Sequence, residues 1–260
     1  MLYGYFYLSP FIGGEGIKII FMFSPLEQFE ILPIFQIPFI FTNASLILII
    51  GLSYLYVYTR IKFKFIPTRF QQIFETIFNI TIELTYASIG KAGKYFISTI
   101  FVIFFFILLC NLIGMIPYSF TITSHLIVTF TLSLTIYLGF NIIGIKKHKL
   151  NFLNLLLPSG ASIALVPILV PIELVSYIFR VISLPVRLFA NMMAGHTLLK
   201  VIAGFAWTML KVNSFIFIAH FIPLIIIVLL VGLEISVALI QAYVFTILTC
   251  MYINDALNLH

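Results

Sequence analysis

The chain has 260 residues, of which 62% are apolar and only 8% charged, with a formal net charge of +6. A soluble domain carries about 25% charged residues, so this composition excludes a water-soluble fold and describes an integral membrane protein with one membrane domain. The basic residues stand in short clusters beside apolar runs, which argues against a nucleic-acid surface, and Cys110 and Cys250 both lie inside apolar runs, which argues against a disulfide framework.

Residues 1–23 read as an N-terminal extension of uncertain fate. They have no basic n-region and no Arg, and too many Gly and aromatic residues for a signal or transit peptide. A chain made in the compartment whose membrane it enters is the expectation. Ser24 to Ile31 is followed by Pro33 and Pro38, a proline density that opposes a helix. Asn43 is the expected N-cap of a first span, Ala44 to Thr59, which closes on an aromatic belt of Tyr54, Tyr56 and Tyr58. That span falls short of the ~20 residues needed and is expected to extend at its start. Arg60, Lys62, Lys64 and Arg69 follow it.

Pro67 opens a different kind of segment. Phe70, Ile73, Phe74, Ile77, Ile80 and Leu84 recur at helical spacing, with Gln72, Glu75, Thr76, Asn79 and Glu83 opposite. This pattern predicts an amphipathic helix on the membrane surface, ended by Lys91 and Lys94. Tyr95 to Ile116 is a nearly unbroken apolar run stopped by Pro117. After the uncharged turn Thr121 to His125, a second run reaches Ile145, and Lys146, Lys147, His148 and Lys149 close this membrane hairpin. The positive-inside rule puts both basic clusters on the inner side and the N-terminus outside.

From Ile168 to Leu210 and from Phe215 to Tyr252 apolar sequence continues for roughly forty residues each, ~60 Å as helix against a ~30 Å hydrocarbon core. Each is either broken into two spans or strongly tilted, and Pro185 and Pro223 permit kinks. Two long tilted helices are favoured because the polar residues form stripes. Glu173, Arg180 and Arg187 are seven apart, Asn191 follows four later, and Glu234 and Gln241 are again seven apart. No internal repeat is visible, so an inverted-repeat transporter is not indicated. The fold expected is all-α, with five crossing helices, one surface helix, and the last two crossings long and tilted.

Burying a charge in hydrocarbon costs at least ~2.5–3.5 kcal/mol, so such residues face a partner or a water path. Arginine does not release its proton, but it can hold a carboxylate ionised. Arg187 therefore points to ion translocation as a fixed charge. Glu234 and His196 are the titratable candidates for a relay. No cluster has metal-ligand spacing and no phosphate loop is present, so no metal or cofactor is expected.

Three segments carry a family resemblance. Ile182 to His196, with Pro185, Arg187, Asn191 and Gly195, resembles the signature of subunit a of F-type ATP synthases in its mitochondrial form. Gly232 to Phe245, with Glu234 and Gln241, looks like that family's last-helix motif, and Asn111 to Tyr118 is similar to its third-segment motif. Ser24 to Ile31 and Asn254-Asp255-Ala256 look like plant and algal mitochondrial versions, so the resemblance covers 24–260.

The resemblance implies a non-catalytic stator subunit in the mitochondrial inner membrane. Its partners would be a rotating c-subunit ring, a peripheral stalk, other membrane-sector subunits and lipid, in a large complex that can be dimeric. Two offset half-channels would bring protons to and from a ring carboxylate. Arg187 would favour the ionised carboxylate and block leakage. Glu234 and His196 would line the path in, Asn191 and Gln241 would orient water or the guanidinium, and Glu173 with Arg180 would lie toward the exit as an ion pair. Pro185 stands where many relatives carry Gly, and His220 where plant relatives have an acidic residue. The rival readings are a stand-alone ion transporter or channel, and a structural subunit of a respiratory complex with Arg187 neutralised by Glu234.

Overall fold

The computed structural model describes residues 29–31, 42–60, 66–116, 119–149, 166–212 and 221–258. Among them are six α-helices: α1 (Asn43–Arg60), α2 (Arg69–Ile89), α3 (Ile97–Gly114), α4 (Leu126–His148), α5 (Val166–Val212) and α6 (Phe221–Leu257). Short 3-10 turns lie at Gly90–Tyr95 and Ile122–Ser124. Pro33, Pro38, Lys62, Lys64, Pro117, His220 and the 1–23 extension fall outside the described residues.

The helices α3 to α6 are long and apolar enough to cross a membrane, whereas the apolar stretch of α1, Asn43–Tyr56, is shorter. The start of α1 differs from expectation. Ser45 N–H donates to Thr42 Oγ1 at 3.4 Å and Thr42 N–H donates to Ser45 Oγ at 3.0 Å, a reciprocal cap one residue earlier than Asn43. Asn43 is already helical, and its amide donates to the Glu30 carbonyl at 3.3 Å. The helix thus runs one residue beyond the expected span at each end, from Asn43 to Arg60.

In α2 the face packed on the bundle is offset from the apolar stripe. Gln71, Thr81, Thr85 and Ile89 are buried, while Ile73 and Ile80 are exposed. The threonine hydroxyls donate within the helix, to Phe78 O and Thr81 O, so they enter the interior without an unpaired donor. Phe74 and Phe78 meet Phe105 and Phe101 of α3 at ring-centroid distances of 5.5 and 5.4 Å. Gly90, at φ 74°, ends α2 in a backbone conformation that a side chain would strain.

The core is built around α6, which packs against α2, α3, α4 and α5. Phe104, Ile107 and Leu108 of α3, Val181, Leu184 and Leu188 of α5, and Ala242, Phe245 and Tyr252 of α6 form its main cluster. Cys110 and Cys250 are free and buried. Asn111 donates its amide to the Ala238 carbonyl at 3.3 Å, tying α3 to α6.

The described parts of both long apolar runs form single helices of 47 and 37 residues, ~70 and ~55 Å long at the standard rise. Pro223 is only the third residue of α6, where its missing N–H costs nothing. Pro171 and Pro185 lie inside α5. Pro185 deprives the Val181 carbonyl of its usual donor four residues on. Ser133 of α4 supplies one instead, its hydroxyl donating to Val181 O at 3.0 Å. An acceptor left unpaired there would cost about 1–3 kcal/mol. Tyr177 donates to Asn141 Oδ1 at 2.6 Å along the same α4–α5 seam. At the far end of α4, Lys147 Nζ and His148 Nε2 lie 2.9 and 3.0 Å from Leu257 O, capping the C-terminus of α6.

Candidate functional site

The two long helices run antiparallel, because α6 partners fall in number as α5 residues rise. Arg180 meets Asp255, Asn191 meets Gln241, and His196 meets Glu234. Three polar layers thus cross one seam between otherwise apolar helices.

The first layer corrects an expectation. Arg180 Nη1 lies 3.3 Å from Asp255 Oδ2 on α6, so its partner is not Glu173. The seven-residue spacing put Glu173 and Arg180 on one line of α5, but two turns separate them by ~10 Å along the axis. Asp255 reaches Arg180 from the neighbouring helix. Glu173 is half-buried on α5.

In the middle layer Asn191 Nδ2 donates to Gln241 Oε1 at 3.3 Å, and Gln241 is buried. Neither amide titrates, so this layer can orient a neighbour but not carry a proton.

The third layer holds two titratable side chains. His196 and Glu234 are buried, with relative exposures of 9% and 6%. His196 Nε2 is 3.6 Å from Glu234 Oε1, beyond direct hydrogen-bond length. Among the described residues, that nitrogen and both Glu234 oxygens have no hydrogen-bond partner. Beside them a cavity of about 230 Å³ is lined by Asn191, Gly195 and Glu234 among leucines and a valine. At ~30 Å³ per water, it has room for several molecules with polar atoms to hold them. Gly195 makes the close approach possible, since a β-carbon there would lie 2.7 Å from Glu234 Oε1.

Phe29 is a contact that sequence reasoning missed. It is buried and sets its ring edge-on to His196 at a centroid distance of 6.1 Å. Only the resemblance of Ser24 to Ile31 to plant and algal mitochondrial versions marked this segment, and nothing in its spacing pointed to α5. Asp255 was missed for the same reason, since 75 residues separate it from Arg180.

Arg187 stands apart from all three layers. It is exposed, and among the described residues it makes no hydrogen bond or ion pair. Leu184, Leu188 and Met192 turn into the core, while Ser183, Arg187, Ala190 and Ala194 lie on the outer face of α5. Arg187 is therefore not neutralised by Glu234, which faces His196 instead. Lys200, one turn beyond His196, is half-buried. Outside the spans, His125 stacks on Phe120 at 5.0 Å, and burial holds its imidazole below the ordinary value. It fits a structural role.

Among the described residues no group of three or more His, Cys, Asp or Glu could hold a metal ion. The arrangement offers instead a fixed cation facing outward, a buried carboxylate–imidazole pair beside a cavity, and amides between them.

The sequence pattern of the ATP synthase A chain family matches residues 39–254. The chain is similar to ATP synthase subunit a of Pylaiella littoralis, with 51% identity over 246 residues, 91% of this chain and 99% of that protein. It is 49% identical to ATP synthase subunit a of Chondrus crispus over 245 residues, 91% of this chain and 97% of that protein. With ATP synthase subunit a of Brassica napus it shares 46% identity over 252 residues, again 91% of this chain and 97% of that protein. On its pattern and its relatives alike, the chain belongs to the ATP synthase A chain family.

Proposed function

We propose that this membrane-sector subunit translocates protons as a stator, with Arg187 as the fixed charge facing a carboxylate on a rotating ring of c subunits. The observation that carries the reading is the exposure of Arg187 without a partner within the described chain. A permanent cation left against lipid costs at least ~2.5–3.5 kcal/mol, so it calls for an anion supplied from outside. Ser183, Ala190 and Ala194 around it are small, which lets another helix approach closely.

On this reading Glu234 and His196 relay protons into one half-channel through the adjoining cavity. A carboxylate and an imidazole can each take up and give back a proton, which suits both to exchange protons with water. Asn191 and Gln241 hold the layer between that path and Arg187. Arg180, with Asp255, and Glu173 lie toward the other side, along the exit half-channel. Arg187 favours release of the ring proton by stabilising the ionised carboxylate, and repels protons that would cross directly.

The remaining architecture follows. Residues 24–260 form the membrane domain, with α1 as a fifth crossing helix and α2 on the membrane surface, its uncovered Ile73 and Ile80 in lipid. At ~70 and ~55 Å, α5 and α6 exceed the ~30 Å core and lie tilted around the ring. The location is the mitochondrial inner membrane, within a complex that includes a peripheral stalk. The subunit itself catalyses no bond chemistry.

The test is a density map of the native complex. A ring carboxylate at the depth of Arg187 would support the reading. Lipid or an uncharged helix there would refute it.

A further inference from the structure

We propose that Ser133 of α4 is a positioning residue for Arg187, acting by replacing the backbone donor that Pro185 removes. The inference rests on the role proposed for Arg187 and concerns how this chain holds it in place.

The polar contacts divide α5 at Pro185. Before it, Tyr177 and Val181 O are held by Asn141 and Ser133 of α4, and Arg180 by Asp255 of α6. After it, Asn191 and His196 meet Gln241 and Glu234 of α6. Pro185 is thus the joint between two differently anchored halves, and Arg187 is the second residue past it. A proline inside a helix frees the carbonyl four residues earlier and lets the axis bend. How far it bends depends on what the freed carbonyl binds.

Here Val181 O accepts from Ser133, which is buried at 4% exposure, as Val181 is at 6%. No solvent competes for that carbonyl, so one hydroxyl fixes the joint. The direction of the bend sets where Arg187 points, because its own face of α5, with Ser183, Ala190 and Ala194, is exposed in the described chain. Three layers of contact on α6 set the seam, but Ser133 sets the angle at which the arginine leaves it.

The experiment is a double-mutant cycle in the assembled complex, reading proton-driven ATP synthesis and passive proton leak per complex. Ser133→Ala is expected to lower synthesis about fivefold and raise leak, the scale of one interhelical hydrogen bond. Ser133→Thr keeps the hydroxyl and is expected to restore both. With Pro185→Ala, which returns the N–H to Val181 O, adding Ser133→Ala should change synthesis by less than about twofold. Tyr177→Phe, which removes a neighbouring α4–α5 bond but not one to this carbonyl, should cost the same with or without Pro185→Ala.

An equal effect of Ser133→Ala in both backgrounds would overturn the inference, and so would a loss confined to the amount of complex. Where Ser133→Ala does not assemble, Ser133→Cys, close in size and a weak donor, carries the same comparison. Arg187→Ala measured alongside separates the two claims. If it leaves synthesis intact, the role of Arg187 fails. A Ser133–Pro185 coupling that persists in thermal unfolding would then show that only the functional reading was at fault.

Discussion

Gly195 of α5 opposes Glu234 of α6 so closely that a β-carbon would come within 2.7 Å of Oε1 and 3.0 Å of Cδ. Glycine here sets the position of the one buried carboxylate in the seam. Gly195→Ala must displace the Glu234 side chain or part the helices, at about 1–3 kcal/mol for a methyl forced into a packed site. Because the carboxylate is the flexible partner, most of the effect should appear in proton flux rather than assembly. Proton pumping driven by ATP hydrolysis, normalised to complex content, should fall about tenfold, a loss of ~1.4 kcal/mol in barrier terms.

Glu234→Gln keeps the shape of the side chain and removes its proton chemistry. A positioned acid–base group is worth ~10²–10⁴ in rate, so flux should fall at least about a hundredfold with the complex intact. His196→Gln should cost less, since Glu234 still opens on the cavity. Flux–pH profiles of both variants are the check. Unchanged profiles would remove the pair from the path.

Arg180 gives a contrast between two carboxylates. Asp255→Asn removes its observed partner and should destabilise the subunit by about 1 kcal/mol or less, because both side chains are partly exposed, at 35% and 25%. Glu173→Gln should leave thermal stability unchanged, since Asp255 and not Glu173 holds the guanidinium. A larger loss of thermal stability from Glu173→Gln than from Asp255→Asn would contradict the pairing seen in the seam.

The helices themselves were legible because apolar runs and their interruptions are local properties. The α3–α4 hairpin follows from run length, and the long course of α5 and α6 from the polar stripes that favoured two long helices over broken ones. The seven-residue spacing of Glu234 and Gln241 matches their shared place on the seam, whereas Arg187, seven residues from Arg180, stands apart from it. What spacing could not give was the partner across the seam. It paired Arg180 with Glu173 on its own helix, while Asp255 came from a segment 75 residues away. Nor could it show that Ser133 would replace the donor lost at Pro185, because that contact depends on the register of α4 against α5.

The offset in α2 has a different cause. Binary patterning assigns the apolar stripe to whatever excludes water, which in a membrane includes lipid as well as protein. Thr81 and Thr85 could take the protein-facing side because their hydroxyls bond the helix backbone. That left Ile73 and Ile80 uncovered. At α1 the cap falls on Thr42, one residue before the expected Asn43, because Thr42 makes the reciprocal bonds with Ser45.

The most direct measurement is proton-driven ATP synthesis by an assembled complex carrying Arg187→Ala. Arg187 is exposed and makes no hydrogen bond or ion pair among the described residues, so the complex should form at the normal level. Synthesis should be abolished, because nothing then holds the ring carboxylate ionised or separates the two half-channels. Synthesis at the wild-type rate in that complex would contradict the proposed mechanism.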